Sequence, residues 1–233
     1  MAFVVDVTGW LGNVIFPPHC VVCGRGGAWL CAECQETFAP ISRPLCERCG
    51  HPITCGTLCS RCQVQPLAID SIRSVYRFEG ALRDSLHEFK YDGVKVLAKP
   101  FGRMMGDYLD ANPVPSDVVI PVPLHKRRLR TRGYNQSALL AREIALSVGL
   151  LWDTKALVRQ RETAPQVSLS KLQRRTNVDG AFVCIDESLR QRRVLLVDDV
   201  CTTGATLEAC ATALYEVGVG AVHGLTLARA IAV

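Results

Sequence analysis

VLLVDDVCTTGAT, Val194 to Thr206, is the stretch on which the fold of this chain turns. An apolar run ends in two adjacent carboxylates. A short Thr/Gly loop then opens a helical pattern through Ala205, Leu207, Ala209, Ala213 and Leu214. A short β-rich apolar run bounded by turn residues suits a strand covered on both faces, so Val194 to Val197 is expected in a parallel sheet. The first N–H groups of a helix lack intrahelical partners and carry the positive end of its dipole, which makes them a phosphate cradle. Thr202, Thr203, Gly204, Ala205 and Thr206 supply hydroxyls, a glycine for close approach, and that helix start. Asp198 and Asp199 stand just upstream, where they can hold the hydroxyls of a sugar bearing the phosphate. Together these residues describe a ribose 5-phosphate site, with Asp198 and Asp199 as its candidate catalytic pair.

The plainer alternative is that the two acids only cap the helix. A cap needs one residue immediately before the helix, whereas here two acids lie several residues upstream. Other nucleotide motifs fit worse: no Walker A lysine follows the glycine, and there is no Gly-x-Gly-x-x-Gly fingerprint. The segment closely resembles the phosphoribosyltransferase signature that binds phosphoribosyl pyrophosphate (PRPP). The resemblance implies that Asp198 and Asp199 contact the ribose 2- and 3-hydroxyls and that Thr202 to Thr206 bind the 5-phosphate. Purine-salvage members carry an Asp, used near the base, at the position of Thr202. Its replacement here speaks against a hypoxanthine- or guanine-type reaction.

Cysteine usage divides the molecule. Nine of the twelve cysteines fall within the first 62 residues, and eight form Cys-x-x-Cys pairs: Cys20/Cys23, Cys31/Cys34, Cys46/Cys49 and Cys59/Cys62. Two such pairs complete a four-thiolate zinc site, and Gly24 and Gly50 follow two of them as a zinc knuckle requires. Sequential pairing gives two ribbons in a row; spacing alone also admits a cross-braced arrangement that joins pairs one with three and two with four. A disulfide scaffold would need export, and the chain shows no export signal, so a cytoplasmic location is expected. Cys55, His19 and His51 are expected outside the ligand sets. Four thiolates leave a zinc ion no open position, so the module is read as structural or as a recognition element.

Charge divides the chain as well. Up to residue 70 there are four Lys/Arg against five Asp/Glu, and beyond it 23 against 17, so the net +5 belongs to the C-terminal part. The boundaries expected are an N-terminal amphipathic helix over 1–17, a double zinc ribbon over 18–66, and an α/β domain over 67–233. The first segment is too short for a membrane span and is interrupted by Asp6, Gly9 and Gly12; packing on the protein and lying on a membrane surface are its two readings.

The α/β domain alternates strand and helix patterns: strands at Ser71 to Phe78, Asp117 to Val122, Ala181 to Cys184, Val194 to Val197 and Ala221 to Leu227, and helices at Ala81 to Lys90, Val96 to Leu109 and about Asn135 to Val148. That alternation implies a mostly parallel sheet with helices on both faces, whose ligands bind beyond the strand C-terminal ends. The Asp117 strand should deliver a basic loop to that same edge, packing Lys126, Arg127, Arg128, Arg130 and Arg132 into seven positions. A charge run is often only a solvated face. Beside such a site a second anion-binding element is required, and Arg132 and Gly133, with Lys126, Arg128, Asn135 and Gln136 in support, are its candidates. A third element, Arg161 to Gln166 with Arg174, Arg175 and Asn177, reads as a mobile flap or as a surface loop with a short helix.

Across nearly its whole length the chain resembles the ComF family of competence proteins. The motifs that carry the likeness are the cysteine ribbon, Lys90-Tyr91, Pro121-Val-Pro-Leu124, Arg132-Gly-Tyr-Asn-Gln136, Thr163-x-x-Gln166, Arg174/Arg175-x-Asn177 and Val197 to Thr206. The resemblance implies a zinc ribbon joined to a type I phosphoribosyltransferase-like domain and a role in DNA uptake or the handling of incoming single strands. It also implies PRPP with Mg²⁺, and single-stranded DNA and DNA-uptake or recombination proteins as partners. Two readings follow. One is a transferase in which a nucleophile attacks the ribose C1 as pyrophosphate leaves, with orientation and electrostatics supplied by the protein. The other is a nucleic-acid-binding or scaffold protein that keeps the site without transfer.

Overall fold

The computed structural model describes residues 17–161 and 180–231. The N-terminal helix expected over 1–17 and the flap residues Gln166, Arg174 and Arg175 lie, apart from Pro17, outside the described residues.

Five parallel strands form the central sheet: β1 (Ser71–Arg77), β2 (Val118–Pro121), β3 (Leu151–Trp152), and, after two strands elsewhere, β6 (Arg193–Cys201) and β7 (Ala221–Arg229). Their spatial order is β1-β7-β6-β2-β3, all neighbours parallel. The middle strand β6 is apolar because both of its faces are covered. Val194 and Leu196 point into one core and Leu195 and Val197 into the other, the two-residue alternation of a pleated strand. On one face lie α3 (Gly80–Tyr91), α4 (Ala98–Ala111) and α6 (Gln136–Val148), which bring Leu86, Phe89, Phe101, Met105, Leu140 and Ile144 onto the sheet. The other face is covered by α7 (Ala205–Glu216) through Leu207, Ala211 and Leu214. Helix α4 packs closely on α6: a β-carbon on Gly102 would come within 2.3 Å of the Glu143 Cβ.

Three local readings change. The basic segment is a short helix, α5 (Lys126–Arg132), rather than a loop. Lys, Arg and Leu are good helix formers, the His125 side chain accepts from Arg127 N–H at its start, and Gly133 ends it in the left-handed conformation, φ 79°. The strand at Phe182–Cys184 (β5) is not in the parallel sheet. It pairs antiparallel with β4 (Leu157–Arg159), and the two pack on α7 through Leu157, Phe182 and Cys184. Finally, β6 does not stop at Val197. It continues through both acids to Cys201, because β7 is long enough to pair with it there.

The cysteine module lies against β1. Its two short helices, α1 (Ala32–Glu36) and α2 (Ser60–Val64), each follow a ligand cysteine at the N-cap. Ribbon backbone covers the open edge of β1, where Ile72 N–H donates to Arg48 O at 2.8 Å and Arg77 N–H to Ala39 O at 2.8 Å. An exposed sheet edge invites pairing, and here it is closed from within the chain. Cys46, Cys49 and Cys62 share a core with Ile72, Leu207 and Leu214, while Cys20, Cys34 and Phe38 share the other with Leu82 and Phe89.

Candidate functional site

Asp198 and Asp199 occupy the C-terminal end of β6 and, being consecutive, address opposite faces. The Ser137 hydroxyl, in the first turn of α6, donates to Asp198 Oδ1 at 2.7 Å, and the Asp199 N–H reaches the same oxygen at 2.9 Å. Asp199 is 4% exposed, and Lys90 Nζ at the end of α3 lies 3.0 Å from its Oδ1. Its other oxygen, Oδ2, is buried with no hydrogen-bond partner among the described residues. A buried acceptor left unsatisfied costs free energy, so a donor supplied by a ligand hydroxyl would be favoured there.

The loop that follows turns at Gly204, φ 81°, and α7 begins at Ala205, whose N–H meets Thr203 Oγ1 at 3.3 Å. A side chain at Gly204 would be strained by its φ and would press Ile72 Cδ1 at 3.0 Å. Thr202, Thr203 and Thr206 remain half-buried beside Gly204 and Ala205, at the positive end of a helix of 12 residues.

A second cluster borders the acids. Asn135 caps α6 by accepting from Ser137 N–H at 3.1 Å, and its Nδ2 donates to Val122 O at 3.0 Å. The Tyr134 hydroxyl donates to Phe89 O. Arg132 donates to Gln136 Oε1 at 2.5 Å and lies over the Tyr91 ring, 5.1 Å from its centroid. Arg132 and Tyr134 thus meet the end of α3 that carries Lys90, and Gln136 joins it through Arg132. Lys126 lies exposed at the start of α5 and has no hydrogen bond or ion pair to either acid among the described residues. Arg128, two residues on, acts electrostatically on the buried Arg159, which in turn feels Asp198.

Two groups of four cysteines each bring their sulfurs within 4.8 Å of one another: Cys20, Cys23, Cys31 and Cys34, then Cys46, Cys49, Cys59 and Cys62. The pairing is therefore sequential, not cross-braced. Cys23 and Cys31 sulfurs are 3.7 Å apart and those of Cys49 and Cys59 3.6 Å, close to the edge of about 3.8 Å expected of a tetrahedron with Zn–S near 2.3 Å. Gly24 and Gly50 form the knuckles, with φ 72° and 68° and N–H groups on Cys20 O and Cys46 O. Burial would raise the Cys20 and Cys46 thiols, but surrounding backbone N–H groups outweigh it and bring each to about 6. Burial, with the neighbouring Cys46 thiolate adding to it, instead holds Cys49 up, to about 11. Clustered thiolates cannot all ionise without a cation among them, so the donor set fits a divalent metal. Cys55 is exposed and outside both sets.

Residues 11–63 match the double zinc ribbon domain and residues 130–232 the phosphoribosyl transferase domain. DNA utilization protein YhgH of Escherichia coli O157:H7 is 32% identical over 212 residues, covering 88% of this chain and 92% of that one. Competence protein F of Haemophilus influenzae is 30% identical over 211 residues, covering 86% and 90%. The chain belongs to the ComF family. Competence protein ComFC of Bacillus subtilis is 29% identical, covering 86% of this chain and 84% of that one. Both four-cysteine sites suit structural zinc, and among the described residues no helix is long and apolar enough to cross a membrane.

In this ComF chain the acid pair has partners that no local pattern announces. Lys90 enters the sequence reading only within a family motif, and Ser137 and Arg159 do not enter it at all, because long-range topology brings them in. Burial first, and then the Asp199 carboxylate, push Asp198 up to about 7, against the Ser137 hydroxyl and Lys90. The Arg193 side chain does the reverse to Asp117: it donates to Oδ1 at 2.6 Å and Oδ2 at 3.2 Å and holds the carboxyl down to about 2. Carboxyl carbon NMR should therefore show Asp198 titrating near pH 7 and Asp117 near pH 2. Because the Asp198 value lies above the unfolded one, about 3.9, its proton stabilises the fold at low pH. That contribution is lost as pH rises from about 4 through 7. Asp117 contributes with the opposite sign and is lost as pH falls toward 2. Midpoints for both near 4 would mean that neither burial at Asp198 nor the Arg193 pair at Asp117 acts on these carboxyls.

Proposed function

We propose that this protein binds PRPP, or a closely related phosphoribosyl ligand, with Mg²⁺ at the C-terminal end of β6, and that it serves in DNA uptake or the processing of incoming single strands. The observation that carries this reading is the acid pair, half-buried Asp198 and buried Asp199 with its unsatisfied Oδ2, directly before the Thr202 to Thr206 turn and the start of α7. The ribose hydroxyls are assigned to Asp198 and Asp199, the 5-phosphate to Thr202, Thr203, Gly204, Ala205 and Thr206, and the pyrophosphate to Arg132 and Gly133, with Arg128 and Lys126 adding positive field from α5. Mg²⁺ would neutralise pyrophosphate charge and help it depart. Ser137 and Lys90 orient the two acids, and Gln136 and Tyr91 fix the Arg132 guanidinium. The sequence divides accordingly into ribbons over 18–66 and a phosphoribosyltransferase-like domain over 67–233.

The role in DNA draws on the names of the relatives and on the exposed basic face of α5. DNA binding through that face should weaken steeply with added salt, whereas chelated PRPP should be less sensitive. Calorimetric titration of Mg²⁺–PRPP into the zinc-loaded protein is expected to show binding that Asp198→Asn/Asp199→Asn abolishes. A folded wild type that binds none would end the phosphoribosyl reading. Salt-sensitive binding of single-stranded DNA would then favour the scaffold alternative.

A further inference from the structure

The second ribbon reaches the phosphate loop directly. Arg61 stands in α2 between the ligands Cys59 and Cys62, and its Nη1 donates to the carbonyl of Thr203 at 2.7 Å. Ile72 also borders the loop, its Cδ1 3.0 Å from where a β-carbon on Gly204 would stand. Ile72 is itself gripped by the ribbon. Its N–H donates to Arg48 O at 2.8 Å, and a β-carbon on Gly50 would come within 2.3 Å of its carbonyl. From the far side, Arg229 at the end of β7 donates to the carbonyl of Cys49, itself one of the four cysteines of the second site. Metal ligands, edge strand and loop thus form one connected set.

We infer that Arg61 is a positioning residue for the phosphate loop, so that the second zinc site, besides stabilising the ribbon, fixes the geometry in which Thr202 to Thr206 meet a phosphate. The physical reason is the choice of atom. A carbonyl pointing toward a phosphate repels it, and a guanidinium on the Thr203 carbonyl both neutralises that dipole and turns the peptide so that N–H groups face the ligand. Ligation by Cys59 and Cys62 fixes α2, α2 fixes Arg61, and Arg61 fixes the loop. The ligand's identity rests on the phosphoribosyl reading; the loop's dependence on Arg61 does not.

The test compares wild type, Arg61→Met, Arg61→Lys and Asp198→Asn/Asp199→Asn as full-length zinc-loaded proteins. Arg61→Met keeps an apolar stem and removes the donors, and Arg61→Lys restores one cationic donor. Three quantities are read: zinc per chain, hydrogen exchange of residues 201–207, and Mg²⁺–PRPP affinity. Arg61→Met is expected to retain both zinc ions, exchange the loop amides roughly tenfold faster, and bind PRPP about tenfold more weakly, the scale of one charged hydrogen bond. Arg61→Lys should recover most of both. Unchanged loop exchange in Arg61→Met overturns the inference. So does loss of zinc from that variant, since Arg61 would then serve the ribbon and not the loop. If wild type binds no PRPP the phosphoribosyl reading fails, and loop exchange still decides the role of Arg61.

Discussion

Stripping zinc with a tight chelator is expected to melt the whole chain, beyond the ribbons alone. Structural zinc in finger-sized peptides contributes an apparent 10–16 kcal/mol, roughly the entire stability of an ordinary domain. In many proteins that loss would stay local. Here Cys46, Cys49 and Cys62 pack in the same core as Ile72, Leu207 and Leu214, and Cys20 and Cys34 in the same core as Leu82 and Phe89. The hydrogen bonds from Ile72 and Arg77 to ribbon carbonyls would go as well and leave β1 with an open edge. Mass spectrometry under native conditions should give two zinc ions per chain. Cys46→Ser should lower that to one and reduce the melting temperature by well over 10 °C, on the scale of about 2–4 °C per kcal/mol for a chain of this size. Cys55→Ser, at an exposed cysteine outside both sets, should change neither. A single zinc ion in wild type would show that one ribbon holds without metal, and an unchanged melt after chelation that both hold by apolar packing alone.

How far the structure could be read in advance depends on how local its causes are. The Val194 to Thr206 stretch is legible because strand, acids, turn and helix start are contiguous, and the cysteine pairs because two thiolates three apart address one ion. The end of β6 was not legible: strand length past Val197 is set by β7, and an acid pair looks like a strand terminator until that partner is known. The basic segment misled through its charge density, which reads as a solvated loop, although His125 and Gly133 bracket a helix. Strand patterns also do not say which sheet they join: Phe182–Cys184 reads like a strand of the parallel sheet although β5 pairs with β4, and the short β3 and β4 carry no distinct pattern of their own. Contacts made at a distance in sequence, such as Lys90 with Asp199, Ser137 with Asp198 and Arg61 with Thr203, have no local signature at all.

Those same distant contacts decide what the site can do. Two carboxylates side by side in a buried strand end repel each other and repel an anionic ligand. The site is usable only if one acid is compensated and the other can exchange a proton or meet a cation. Lys90 supplies the compensation for Asp199, and Asp198, with its carboxyl near 7, is the member that adjusts. Arg132, carried to the same place by Tyr91 and Gln136, adds positive charge without entering the pair.

Lys90→Met should therefore be among the most damaging single substitutions outside the cysteines. Lys90 is 19% exposed at its side chain and Asp199 5%, so the pair is screened little by water. Removing one partner of a buried pair typically costs about 3–5 kcal/mol, because the other charge stays behind unpaired. That corresponds to a fall in melting temperature of roughly 6–20 °C. The loss should be greatest at high pH. Lys90 also draws the Asp198 carboxyl down, so without the ammonium Asp198 keeps its proton to higher pH than in wild type, and stability recovers as pH falls and that proton returns. Adding Asp199→Asn should restore much of the stability, since the stranded charge is gone, yet it should not restore PRPP binding. This split separates the structural part of the ion pair from its part in the site. Thermal melts at pH 6 and pH 8 with calorimetry on both variants would measure it. A Lys90→Met protein that melts like wild type at both pH values would mean that Asp199 is compensated by another cation, and Arg132 would be the next residue to remove.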